Sequence, residues 1–366
     1  MSSKPGSPGI LAGVRVLELA ALGPVPWCGM LLADMGADVL RIDRPGASGN
    51  GGPTQRGRKS IVLDLKSSDH LAKLQQLVAC TNVLMEGMRP GATERLGLGP
   101  DPCLALNPQL VYARMTGWGQ QGPLALRAGH DINYIALTGV LHAIGRERPV
   151  PPLNLVGDFG GGGAFLAIGL LAALLEARTT GRGRVVDAAM VDGASSQMTL
   201  MYERLASGRW RDERGVNTID GGAPWYDVYD TSDGRFVAVG AIEPQFYAQL
   251  LQGLNLSAAE VPDRADRANW PAIRQLFAVR FRQRSREEWA VLFEPTDACV
   301  TPVLSMTEAP HHPHNRARNT FTTWQGQTVP GPAPRFSGVA HAVATETVSL
   351  DVDTAITRWM DADNSG

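Results

Sequence analysis

Val14-Arg-Val-Leu-Glu-Leu-Ala20, Pro26 to Met35 and Asp38-Val-Leu-Arg-Ile-Asp43 decide the fold. The first and last are short, nearly unbroken apolar runs, as expected of strands buried on both faces, and the stretch between them is apolar over a helical length. Strand, helix and strand within ~30 residues make a βαβ unit. The alternation continues through a strand at Ser60-Ile-Val-Leu-Asp-Leu65, a helix from Leu71 to Val78, a strand at Asn82-Val-Leu-Met-Glu86, a helix from Pro90 to Leu96 and a strand at Leu110-Val-Tyr-Ala-Arg-Met115. Repetition of this kind predicts an α/β domain with a mostly parallel sheet.

Beyond His130 the pattern turns helical, over Ile132 to Ile144, Phe159 to Ala177 and Val191 to Ala206, with one more strand at Val185-Val-Asp-Ala-Ala189. Residues 206–222 read as a linker. After it, Trp225 to Asp230 and Arg235 to Gly240 flank Thr231-Ser-Asp-Gly234, a hairpin turn. Helices follow at Pro244 to Leu254, Trp270 to Arg282 and Arg286 to Phe293, so 223–324 reads as a smaller α+β domain. Residues 1–12 read as a flexible leader.

The 366 residues, 44% hydrophobic and 19% charged, can fill two soluble domains, and a net charge of −2 supplies no global basic field. Nucleic acid and an anionic membrane are therefore not expected partners. Cys28, Cys80, Cys103 and Cys299 are scattered, without a CxxC pair or a histidine at ligand spacing, and read as reduced, mostly buried thiols with no metal site. The first nine residues lack an apolar signal core and no apolar run is expected to reach membrane-spanning length. The tail Asp363-Asn-Ser-Gly366 is not the peroxisomal tripeptide, which leaves the cytoplasm as the expected location.

Gly117-Trp-Gly-Gln-Gln-Gly122 matches GxGxxG, yet Pro123 and a polar segment follow it where a dinucleotide fingerprint runs into a helix. Basic residues say more. Arg41, Arg44, Lys66, Arg89 and Arg95 fall at or just after successive strand ends, which share one edge of a parallel sheet and could meet a phosphorylated ligand together.

Two stretches carry proton chemistry: Ala128-Gly-His-Asp-Ile-Asn-Tyr134 and Asn154-Leu-Val-Gly-Asp158-Phe-Gly-Gly-Gly-Gly163. His130 reads either as a structural histidine at a helix start or as a base that Gly129 leaves open to substrate. Asp158 reads as a helix N-cap, a catalytic acid, or both. Gly160 to Gly163 are costly in a helix, which suggests bare N–H groups turned toward a ligand.

Together with Val16-Leu-Glu-Leu19, Gly36 to Pro45, Met88 to Gly97, Ala113 to Pro123 and Gly240 to Tyr247, these stretches resemble the family III CoA transferases over nearly the whole chain. Ala128 to Tyr134 resembles, within them, the branch of α-methylacyl-CoA racemases. The resemblance implies a Rossmann-like large domain built from both chain ends, 13–205 and 325–366, and an interlocked homodimer with its active site between subunits. It implies His130 and Asp158 as the two bases, Glu243 supporting the imidazole and Asn154 orienting Asp158. It implies CoA held by Arg44, by Leu63, Asp64, Leu65 and Lys66, by Gly87, Met88, Arg89 and Arg95, and by the backbone of Gly129, Asp131, Ile132, Asn133 and Tyr134. No separate cofactor is implied, since CoA is part of the substrate.

The chemistry expected is 1,1-proton transfer at the carbon α to a thioester. His130 takes the proton from one face, protonated Asp158 delivers one to the other, and N–H groups of the Asp131 loop stabilise the enolate oxygen. A transferase would use Asp158 as nucleophile and has no need of a second base at position 130. A noncatalytic acyl-CoA-binding protein is the third reading. Met115, Met190, Met198 and Met201 could offer an apolar surface to an acyl chain, although methionine at helical spacing also serves plain packing.

Overall fold

The computed structural model describes residues 9–47, 51–339 and 347–363, so the leader is outside it as far as residue 8, and the tail from Asn364 also lies outside the described residues. The chain forms two compact units. Among the described residues, one comprises those within 9–139, 152–198 and 313–363, the other 140–151 and 199–312.

The first unit is built on strands β1 (Arg15–Leu19), β2 (Asp38–Asp43), β3 (Arg58–Val62), β4 (Val83–Glu86), β5 (Val111–Thr116) and β6 (Val185–Ala189), with a seventh strand at Val348–Ser349. All pair in parallel, in the order Val348–Ser349, β3, β2, β1, β4, β5, β6. The order reverses between β1 and β4, and a parallel sheet opens a crevice at the carboxyl ends of its strands where that happens.

The pleat explains why these strands read as unbroken apolar runs. Val16, Val39, Val83 and Val111 face a core shared with helices Pro24–Asp34 and Phe165–Thr180. Their neighbours Leu17, Leu40, Leu84 and Tyr112 face the opposite core, shared with helix Ser68–Ala79 and with Ala355, Ile356 and Trp359 of the terminal helix Val352–Asp363. Two carboxylates inside the sheet are paired. Arg58 Nη1 donates to both oxygens of Glu18 at 2.8 and 2.9 Å, and Arg114 Nε donates to Glu86 at 2.9 Å. The second oxygen of Glu86 accepts the Met88 N–H at 2.6 Å, which shapes the loop leaving β4.

Several elements depart from the sequence reading. β3 starts two residues and ends three residues earlier than expected, because Asp64 turns its carboxylate back onto the Lys66 N–H and ends the strand. The helix expected over Ile132 to Ile144 is two, Asp131–Ala136 and Val140–Ala143, broken at Gly139 with φ 84°. Val191 to Ala206 is likewise two helices, Met190–Gln197 and Thr199–Ala206. The helix expected from Phe159 begins earlier, as a π-helix over Leu155–Ala164 that continues into Phe165–Thr180. That 26-residue run is long and apolar enough to cross a membrane, contrary to the expectation that no run would be, and 44% of its most apolar window is buried inside the protein. Period counting missed it because polar Asp158 and the glycines interrupt the pattern. All four cysteines are free, with Cys28 and Cys103 buried, Cys80 half-buried and Cys299 exposed.

The second unit has an antiparallel sheet of β7 (Tyr226–Asp230), β8 (Phe236–Gly240) and β9 (Val300–Pro302). β9 was not foreseen, being three residues long. The expected turn closes the β7–β8 hairpin, with the Thr231 N–H donating to Arg235 O at 2.9 Å and Gly234 at φ 71°. Trp225, Tyr229, Phe277, Phe281 and Trp289 dominate its core.

Candidate active site

Leaving β1, the chain runs through Ala20 to Leu22 and turns at Gly23, φ 67°, into helix Pro24–Asp34. Leaving β4, it runs through Gly87, Met88 and Arg89. A cleft of about 640 Å³ opens between them at the reversal of strand order, lined also by Arg41, Arg44 and Arg95. A hollow of about 310 Å³ shares Leu22, Gly87, Met88 and Arg89 with it and runs on to Trp118, Arg127, Gly129, His130 and Tyr134. The two form one groove at the carboxyl edge of the sheet.

His130 enters this groove from the start of helix Asp131–Ala136, with extended backbone (φ −130°, ψ 172°) and an exposed side chain. Asn133 Oδ1 accepts the His130 N–H at 3.0 Å. Tyr134 fastens the turn beneath it: its hydroxyl donates to Gly129 O and its ring meets Trp118 edge to face at 4.8 Å. Gly117 is required here for packing, since a Cβ on it would stand 2.0 Å from Tyr134 Cζ. That is the role of the first glycine in the apparent fingerprint, and no helix follows Gly122 before Asp131.

Asp158 sits in the π-helix, a conformation whose wider turn leaves each residue rotated differently from its α-helical position and which is uncommon outside functional sites. Asn154 Nδ2 donates to Asp158 Oδ2 at 3.0 Å. That oxygen lies 3.3 Å from where a Cβ on Gly23 would stand, which places the carboxylate against the β1 turn. The Asp158 N–H donates to Asp131 Oδ2 at 2.8 Å. Asp131 is buried, so its carboxyl group faces the π-helix and not the groove. Burial pushes its pKa up against the pull of that N–H, and the charge of Asp158 raises it further. The residue after one candidate base is thus bonded to the backbone of the other.

The four glycines do not face a ligand as expected; they face neighbouring helices. A Cβ on Gly161 would stand 2.6 Å from Ala194 N, one on Gly163 2.5 Å from Trp27 Cε3, and one on Gly162 3.1 Å from Pro24 Cβ. A Cβ on Gly160 would reach Gln197 Oε1 at 2.9 Å. They let the π-helix lie against helices Met190–Gln197 and Pro24–Asp34.

The expected CoA residues divide. Arg44, Gly87, Met88, Arg89 and Arg95 line the first cleft, Gly129 and Tyr134 the second. Leu63, Asp64, Leu65 and Lys66 follow β3 on the same edge of the sheet but line neither. Ile132 and Asn133 are exposed. Of the four methionines offered for an acyl-chain surface, with packing as the alternative, Met115 and Met190 line the groove, whereas Met198 and Met201 do not. Thr116, Trp118 and Arg127 were missed; only folding brings the end of β5 and the segment before His130 to one wall. Glu243 belongs to the second unit, exposed at the start of helix Pro244–Gly253. Among the described residues no group of three or more His, Cys, Asp or Glu side chains could hold a metal ion.

The profile of CoA-transferase family III matches residues 11–351. Over 327 residues the chain is 49% identical to the α-methylacyl-CoA racemase of Mus musculus, covering 89% of this chain and 85% of that one. It is 47% identical to the α-methylacyl-CoA racemase of Homo sapiens over 88% and 86%. The succinyl-CoA:glutarate CoA-transferase of Mus musculus is 28% identical over 89% and 80%. Among solved structures, a CAIB/BAIF family protein from Brucella suis superposes with a TM-score of 0.81 over 96% of this chain and 99% of that one, at 24% identity.

Proposed function

The chain belongs to CoA-transferase family III, and on that footing we propose that it is an α-methylacyl-CoA racemase, an isomerase interconverting (2R)- and (2S)-2-methylacyl-CoA. The mouse and human relatives that it matches at 49% and 47% identity carry that name. The observation that carries the reading is an exposed imidazole in the groove wall, one residue from a buried carboxylate that holds the backbone of Asp158. Transfer of CoA through an acyl anhydride on Asp158 needs one carboxylate; only proton exchange on two faces of a carbon needs the histidine as well.

In this reading the ADP end of CoA lies over the cleft at the strand reversal, with Arg44, Arg89 and Arg95 toward its phosphates, and the thioester reaches the hollow beside His130. Neutral His130 takes the α-proton, leaving an enolate, and protonated Asp158 gives its proton to the opposite face. In the reverse direction Asp158 is the base. Asn154, bonded to the carboxyl group at 3.0 Å, fixes which oxygen faces the carbon. The N–H groups of His130 and Asp158 are engaged by Asn133 and Asp131, and that of Asn133 by His130 O at 2.8 Å. Stabilisation of the enolate oxygen then falls to the first-turn N–H groups of Asp131 and Ile132, which an α-helix leaves without intrahelical partners. The side chains suffice for the proton transfers, so no resident cofactor enters the scheme.

A homodimer belongs to the same reading, with Glu243 of one subunit supporting His130 of the other. It is favoured by an uncovered apolar stripe on helix Phe165–Thr180, where Ile168 and Leu175, seven residues apart on one face, are 62% and 68% exposed. A cytoplasmic location is part of the proposal.

The test is incubation with a single epimer of a 2-methylacyl-CoA in D2O without free acid. Incorporation of α-deuterium with loss of chirality is expected. Retention of the α-proton, with the CoA moving instead to an added carboxylate, would overturn the racemase in favour of a transferase.

A further inference from the structure

Within the second unit, a cavity of about 360 Å³ is walled by Arg146, Arg211, Arg267 and Arg274 together with Trp270 and Pro271, and it shares no residue with the groove of the first unit. No acidic side chain lines it. Trp270 and Pro271 open the 12-residue helix Trp270–Phe281, whose first-turn N–H groups add positive potential on that side. Four guanidinium groups on one small wall repel one another unless counter-charge is supplied.

The carboxylates nearby supply little of it. Asp227 is shared by two of the arginines: Arg146 Nη2 donates to its two oxygens at 2.6 and 2.8 Å, and Arg274 Nη1 pairs with the second. Asp227 itself lines a different hollow, with Tyr226 and Val239. Asp220 is occupied by the N–H groups of Val216, Asn217 and Gly222 and by Asn217 Nδ2. Asp212 lies 3.7 Å from His142 Nε2, and Asp266 caps the Ala268 N–H.

Two of the arginines also donate to backbone carbonyls. Arg274 Nη2 donates to Gly221 O at 2.9 Å and Gly222 O at 2.6 Å, and Arg267 Nη1 donates to Val216 O at 3.5 Å. Burial, with the charge of Arg146 added, lowers the pKa of Arg274, as expected where cations crowd with too little compensation.

We propose that this cavity binds a phosphate-bearing polyanion of about diphosphate size, gripped by Arg211 and Arg267 together with the Arg146–Arg274 pair. Planar guanidinium forks around one cavity suit phosphoryl oxygens, and the volume accommodates two phosphoryl groups. The anion is either a free polyphosphate or the diphosphate of a CoA molecule, which offer the same oxygens. The site stands independently of the racemase reading.

Titration calorimetry of the full-length protein with inorganic pyrophosphate tests it. Saturable binding is expected, weakening steeply with added salt and at least tenfold in the double variant Arg211→Gln/Arg267→Gln, with an unchanged melting temperature showing that the variant is folded. CoA added to saturation distinguishes the sources: unaltered pyrophosphate binding assigns the site to a free polyphosphate, and competition that survives Arg44→Gln/Arg95→Gln assigns it to the diphosphate of CoA. No measurable binding, binding unchanged in the Arg211/Arg267 variant, or uptake equalled by sulfate at the same concentration would overturn the site.

Discussion

Gly161→Ala separates the packing role of the glycine run from a ligand-facing one. An added Cβ would stand 2.6 Å from Ala194 N, 3.0 Å from Gly193 C and 3.1 Å from Ala194 Cα, all backbone atoms that no rotamer change can move aside. The approach is mutual, since a Cβ on Gly193 would stand 2.0 Å from Gly161 O. Ordinary contact needs about 3.5 Å or more between such atoms, so helix Met190–Gln197 must retreat by nearly 1 Å along its length. Overpacking of this kind costs about 1–3 kcal/mol, against ~0.4–1 kcal/mol regained by stiffening the unfolded chain. A net loss of ~1–2 kcal/mol corresponds to a melting temperature lower by ~2–8 °C for a domain of ~150–250 residues. Differential scanning calorimetry measures it, with Gly52→Ala as the control because a Cβ there has open space and ordinary backbone angles. An unchanged melting temperature in Gly161→Ala, accompanied by a large fall in kcat/KM, would refute the packing account and restore N–H groups facing substrate.

Other outcomes follow from the site. His130→Ala should abolish racemisation and reduce α-deuteration of one epimer by ~10²-fold or more, with CoA affinity nearly unchanged; loss of CoA binding with exchange intact would show that the imidazole is a ligand contact. Arg44→Gln/Arg95→Gln should weaken CoA binding at least tenfold in fluorescence or calorimetric titration and flatten its salt dependence, and an unaltered affinity would place the phosphates elsewhere. Asp131→Ala leaves the Asp158 N–H without its acceptor, a loss of about 1–3 kcal/mol in urea unfolding, while Asp131→Asn can keep an acceptor oxygen. Because the Asp131 carboxyl is raised in the folded state, its contribution is fully present below its unfolded value near ~3.9 and is lost as pH rises through the folded value. The stability of Asp131→Asn relative to the native chain should therefore improve as pH is raised above ~4, and parallel pH profiles would contradict the assignment.

Much of the first unit was legible because its strands are buried on both faces. β2 and β6 fall on the residues expected, and β1, β4 and β5 within one residue at each end. β3 was misplaced, by two residues at its start and three at its end, because a side-chain hydrogen bond, from the Lys66 N–H to Asp64, ended the strand where hydrophobicity continued. The breaks at Gly139 and Met198 fell inside continuous helical patterns, since apolar spacing does not register that the chain passes there from one compact unit to the other. At the site, the residues by themselves offered His130, Asp158 and the arginines, and the family resemblance joined His130 with Asp158 and added Asn154. Gly160 to Gly163 were misread, because a glycine that admits a neighbouring helix and a glycine that admits a ligand look the same along the chain.

Alone, the sequence determined the parallel α/β class, the approximate strand ends, the cationic edge and the residue types able to move a proton, for each follows from short-range pattern and side-chain chemistry. Tertiary structure decided the reversal of strand order between β1 and β4, the groove along that edge, the π-helical turn that carries Asp158 and the buried Asp131 that bonds to it. These depend on which distant segments meet: Gly23 with Asp158, Gly161 with Gly193, Gly117 with Tyr134. Periodicity reports which face of an element is buried, and only packing reports against what.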